Sequence, residues 1–144
     1  MASQARNALL VVGLLGVVVA GGLFVLAYDR RPFGLIGPVV EAVLLSLVMG
    51  PLLALSVSLQ HRFDVEHYVR DRAAAGVGLD LARVVIVASL FGIASGLILG
   101  FVTEAPLIRI AVTAIVEYFS AFWVFSMANA DYYDDRHIRR AIGR

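Results

Sequence analysis

The 144-residue sequence contains no cysteine and no lysine. Without cysteine there is no disulfide, no thiolate nucleophile, no cysteine-held zinc and no iron–sulfur cluster. Without lysine there is no Schiff-base chemistry and no phosphate-cradling P-loop lysine. Charge is also scarce, at 16% of residues against about 25% in a typical soluble domain. The formal net charge is only +1, too little for the concentrated basic face that a nucleic-acid binder needs. The three histidines, His61, His67 and His137, all lie in polar segments. That excludes bis-histidine haem ligation and a serine–histidine protease within a membrane.

Apolar side chains are abundant instead, making up 60% of the sequence. A chain this short folds as one small domain whose surface in water would have to be largely polar, so the expected solvent is lipid. Four apolar runs approach the roughly 20 residues that a helix needs to cross about 30 Å of hydrocarbon. They cover about 8–28, 35–59, 81–102 and 105–129, with a polar loop over 60–80 and a polar tail over 130–144. The first follows Arg6 and is longer than the apolar stretch of a secretory signal, so a retained helix is expected. Only Thr103 and Glu104 separate the third and fourth runs, which predicts a tight hairpin. Pro38 suits the first turn of the second helix, whereas Pro51 falls inside it and should kink it.

Arginine placement sets the expected orientation. With both termini on the cytoplasmic side, nine arginines lie there (Arg6, Arg62, Arg70, Arg72, Arg83, Arg136, Arg139, Arg140 and Arg144) and only Arg30 and Arg31 lie opposite. The expected fold is therefore an all-α, integral membrane four-helix bundle with N-in/C-in topology, in a cytoplasmic (inner) membrane or derived envelope. Exclusive use of arginine, with abundant Ala, Val and Gly, suggests a GC-rich prokaryotic genome. A shift of 74 residues aligns a handful of positions, among them Pro32 with Pro106, which is close to chance in a chain of this composition.

In lipid, helices associate through close backbone approach and polar pairs. Ala88, Gly92, Gly96 and Gly100 form a four-residue ladder on the third helix, and Ala42, Ser46, Gly50, Ala54 and Ser58 form one on the second. Such ladders serve either contact within one bundle or a seam between copies. On the fourth helix, Arg109, Thr113, Glu117 and Ser120 share a sector of about 80°, opposite Ile108, Val112, Ile115, Phe119, Phe122 and Trp123. Arg109 and Glu117 are about 12 Å apart along the axis, so each needs another partner. Glu41 is at matching depth for Arg109, and a Glu41–Arg109 ion pair is expected. Glu117 lies nearest the bilayer centre, where an ionised acid is costly; protonation, with a hydrogen bond to a serine or a backbone carbonyl, or contact with a polar cavity is expected.

The remaining polar residues carry weaker indications. His61, Asp64, His67 and Asp71 recur at near-helical spacing, yet solvated loop charges explain them more simply, and no metal or cofactor is expected. The stretch from Phe63 to Ala75 and the tail around Ile138, Ala141 and Ile142 are weakly amphipathic and suit the inner membrane surface. Size and helix count resemble those of small four-helix drug exporters. Those proteins carry their essential Glu in the first helix, which has no acid here, so the resemblance stops at architecture.

The functional expectation is a non-enzymatic structural or assembly protein, an accessory subunit or envelope component that packs through its ladders and presents its loop and tail. Its partners would be the bilayer and either further copies or other membrane subunits. The alternative is a small proton- or ion-coupled transporter or channel, working as a homo-oligomer, with Glu117 as the titrating site and Glu41 with Arg109 as an outer gate.

Overall fold

Long apolar runs with few helix breakers leave the backbone little choice in lipid, where every N–H must find its acceptor within the same segment. In the computed structural model, residues 4–28, 30, 34 and 36–133 are described, and among them the structure is all-helical. The elements are α1 (Gln4–Tyr28), α2 (Ile36–Leu59), α3 (Val65–Val102), α4 (Pro106–Ala128) and a short 3₁₀ turn, Ala130–Tyr132. All four α-helices are long and apolar enough to cross a membrane. The tail beyond Tyr133, including its amphipathic stretch, lies outside the described residues.

The third helix starts sixteen residues earlier than its apolar run, at Val65 instead of Leu81. The expected loop over 60–80 is thus mostly helix. Asp64 caps it by accepting a hydrogen bond from the His67 backbone N–H at 3.0 Å. Val65 and Tyr68 are buried inside the protein, with the Tyr68 ring edge-on to Phe125 near the end of α4. At 1.5 Å per residue the 38 residues of α3 reach about 57 Å, so its first turns stand outside the hydrocarbon. The helix is interrupted once, at Ala73, with φ 52° and ψ 177°, a conformation that only glycine adopts without strain.

α2 is the central element and packs against α1, α3 and α4. It continues as one helix through Pro51. α1 is peripheral, and only Leu9 and Gly13 of its residues are buried. It is held by close backbone approach: a β-carbon on Gly13 would lie 2.7 Å from the Leu55 backbone N, and one on Gly16 would lie 2.7 Å from Pro51 Cβ. Neither Gly13 nor Gly16 belongs to a four-residue ladder. They sit three apart, and their partner Pro51 is remote in sequence.

Two faces close the bundle. On the terminal face, where α1 and α3 begin and α2 and α4 end, Phe63 is fully buried among Tyr68, Phe125, Tyr132 and Tyr133, with ring centroids 5.0–6.2 Å away. The Asp64 N–H donates to the Tyr132 carbonyl at 2.9 Å, and the Arg6 guanidinium donates to the Phe63 carbonyl at 3.2 Å. The opposite face, here the loop face, is where α1 and α3 end and α2 and α4 begin. Thr103 forms the C-cap of α3 and Pro106 opens α4, confirming the tight hairpin.

Candidate functional site

Among the described residues three acids are buried, and their surroundings differ. Glu41, on the second turn of α2, is 2% exposed. Arg109, on the first turn of α4, donates to it twice, from Nε to Oε1 at 3.2 Å and from Nη2 to Oε2 at 3.1 Å. This two-point geometry is the strongest form of the pair and crosses directly from α2 to α4 near the loop face.

Asp80 is equally buried, at 3% exposed. It falls at the end of the polar 60–80 segment, and the extended α3 places it inside the bundle. The Tyr68 hydroxyl donates to it at 3.2 Å, and Arg72 and Arg83 stand at 3.7 and 3.5 Å. Arg72 also donates to the Ala128 carbonyl at 3.2 Å and the Asn129 side chain at 3.4 Å, which joins the interrupted part of α3 to the end of α4.

Glu117 is fully buried, yet neither carboxyl oxygen has a hydrogen-bond partner. The hydrogen bond to a serine expected for it is not made: the Ser120 hydroxyl donates instead to the Glu117 backbone carbonyl at 2.9 Å. The side chain lies in the notch left by Gly92. A β-carbon there would collide with Oε1 and would lie 2.6 Å from Cδ and 2.8 Å from Cγ. Thr113, one turn nearer the loop face, is 1% exposed, and its hydroxyl has no partner either. It faces Gly96, whose added β-carbon would stand 3.9 Å from Thr113 Oγ1.

The hairpin explains this register. Gly92 lies twelve residues before Glu104 and Glu117 lies thirteen after it; Gly96 and Thr113 are eight before and nine after. A tight turn brings such equidistant residues to one depth. The polar sector of α4 and the glycine ladder of α3 therefore face each other. Gly92 was readable as a packing residue, but only the hairpin symmetry assigns Glu117 as its occupant.

The ladder residues of both helices point inward except Gly100, which is exposed at the loop end of α3. Ala42, Ser46, Gly50, Ala54 and Ser58 are buried on α2, as are Ala88, Gly92 and Gly96 on α3, and Gly100 lies over Pro38. Ser46 and Ser89 join the two helices by a 2.6 Å hydrogen bond. At the terminal face, the imidazole of His67 pairs with Asp71 at 3.0 Å. Among the described residues no group of three or more acidic or histidine side chains is placed to hold a metal.

No protein-family model, curated protein or solved structure matches this chain.

Proposed function

We propose that this chain is a non-enzymatic integral membrane protein in which Glu117 is the exchangeable site of a small proton-coupled transporter or channel, working as a homo-oligomer because four helices enclose little space. The observation that carries this reading is the contrast among the three buried acids. Glu41 and Asp80 are held by arginines. Glu117 is held by nothing but shape. Leaving a buried carboxyl unpartnered costs about 1–3 kcal/mol as a neutral group and more when ionised, so retaining it calls for a use that a hydrogen-bonded residue would not serve. Glu41 with Arg109, at the loop-face end of the same α4 stripe, then serves as the outer gate.

An accessory or assembly subunit is the second reading. Its support is α1, whose side chains are mostly exposed and apolar and leave a face free for partner helices or lipid. The inward ladders lend no weight to a seam between copies. The arginine bias supports N-in/C-in placement in the cytoplasmic membrane of a prokaryote. Because the sequence has no cysteine, single cysteines introduced at Glu104 and at Arg62 report that orientation directly. Glu104 should label from outside and Arg62 only from within.

The deciding experiment is Glu117→Gln in reconstituted vesicles, reading assembly and proton-coupled flux together. Loss of flux with intact assembly is the expected result. Unaltered assembly and unaltered proton movement would remove Glu117 as a working site.

A further inference from the structure

A groove runs along the outside of the bundle where α1 and α3 both rest on α2. Close approach at glycines brings the helices together there: a β-carbon on Gly16 would lie 2.7 Å from Pro51 Cβ, and one on Gly50 would lie 3.1 Å from Val85 Cγ2. The groove is bounded by Gly50 and Ala54 of α2, by Val12 and Gly16 of α1 and by Ala82 and Ile86 of α3. It measures about 430 Å³, and every residue around it is apolar. Val12 and Ile86 are exposed at its edges, so it opens outward toward lipid. Sites for small organic molecules are of this kind, about 300–1,000 Å³ in volume, mainly apolar and oriented by a few polar groups.

The polar group at this site is Arg83. It follows Ala82 by one residue and precedes Ile86 by three, on the exposed side of α3, and its side chain is 55% exposed. Among the described residues its one ion pair is with Asp80, at 3.5 Å. Asp80 is shared, since Arg72 stands 3.7 Å from it and the Tyr68 hydroxyl also donates to it. Two guanidiniums around one carboxylate leave one positive charge over. The Leu81 carbonyl lies 3.9 Å from a β-carbon on Gly50, so this part of α3 is level with a point about 14 Å from the terminal-face end of α2. Asp80 is almost a turn nearer that face, and the contact with it shows that Arg83 reaches toward the headgroups, as an arginine in the apolar part of a membrane helix does.

We propose that the groove holds one acyl chain of an anionic phospholipid from the leaflet at the terminal face, with the lipid phosphate on Arg83. The apolar groove takes the hydrocarbon tail. The guanidinium takes the phosphate, through the paired N–H donors that suit arginine to this anion. A partner helix, about 10 Å across, would have to bring its own acid to that level, whereas phospholipid carries an anion there in any case. No residue of α4 lines the groove, and the proposal does not depend on how Glu117 is used.

The test is native mass spectrometry of the full chain released from mild detergent micelles, titrated with phosphatidylglycerol or with phosphatidylcholine of the same acyl chains. The parent should retain one phosphatidylglycerol, with an apparent Kd at least about tenfold below that for phosphatidylcholine, a difference of about 1.4 kcal/mol. Arg83→Gln should erase this headgroup preference, and Arg83→Lys should keep most of it. Ala82→Phe fills the groove from its exposed edge and should weaken both lipids by at least about tenfold. Two controls should bind like the parent: Arg62→Gln, which removes an equal charge from the exposed terminal face, and Leu90→Phe, on the exposed side of α3 two turns away. Equal affinity of the parent for the two lipids, or a preference that survives Arg83→Gln, overturns the phosphate site. Parent-like binding by Ala82→Phe overturns the groove. A dimer that Ala82→Phe dissociates, with no lipid retained, gives the groove to a second copy and overturns the proposal too. Should Ala82→Phe fail to form the native helical content, Arg83→Gln against Arg83→Lys decides the matter.

Discussion

The notch at Gly92 supports a quantitative prediction. Replacing Gly92 by Ala places a methyl group on Glu117, with Cδ at 2.6 Å and Cγ at 2.8 Å as well as the nearer oxygen. A flexible side chain at a surface would swing aside. This one is fully buried, so the strain has to move α4 away from α3. Overpacking of this kind costs about 1–3 kcal/mol, and three close atoms argue for the upper end. Against it stands a gain of about 0.5–1 kcal/mol from removing glycine from a helix interior. The expected net loss is about 2 kcal/mol. Glu117→Ala removes the obstruction, so in the Gly92→Ala/Glu117→Ala cycle the two changes should compensate by about 2–3 kcal/mol. The assay is reversible unfolding in mixed micelles, followed by helical circular dichroism. A Gly92→Ala protein as stable as its parent, or a cycle additive within about 0.5 kcal/mol, would refute the seating of Glu117 in this notch.

Other parts of the bundle give further expectations. Arg109→Met should destabilise by about 3–5 kcal/mol because it takes the guanidinium from a buried carboxylate, whereas Glu41→Leu/Arg109→Met should return most of that loss; equal losses in single and double variants would contradict a buried pair. Gly13→Ala presses on backbone, the Leu55 N at 2.7 Å and the Pro51 O at 3.0 Å, which cannot rotate away. It should destabilise by about 1–3 kcal/mol and raise hydrogen exchange in α1, while Gly21→Ala, inside the same helix with nothing within 4 Å, should stabilise by about 0.5–1 kcal/mol. Ala73→Gly should stabilise by about 1 kcal/mol in the same micelle assay, since relief of about 1–3 kcal/mol of backbone strain exceeds the added freedom of the unfolded chain; a destabilised variant would mean that Ala73 is unstrained.

Much of the architecture was legible because lipid imposes length and uniform apolarity on a helix, and composition alone reveals both. Four runs therefore gave four helices, and three of them begin within about a turn of the expected residue. The start of α3 escaped because Val65–Asp80 is only half-buried, so its hydropathy is that of a loop while its capping and spacing are helical. The burial of Asp80 was not legible for the same reason, since its partners Tyr68 and Arg72 come to it only through that helix. Within the site, the Glu41–Arg109 contact followed from matching depths. The partnerless state of Glu117 did not, because the expected serine spends its hydroxyl on a backbone carbonyl instead.

The link between Glu41 and Arg109 spans 68 residues of sequence, which bears on how the protein is made. Synthesis delivers α2 to the membrane well before α4 exists, and throughout that interval the nascent chain carries Glu41 without its eventual arginine. The last helix to emerge brings the compensating charge. A chain that stops short of it lacks the two-point contact that ties α2 to α4 near the loop face.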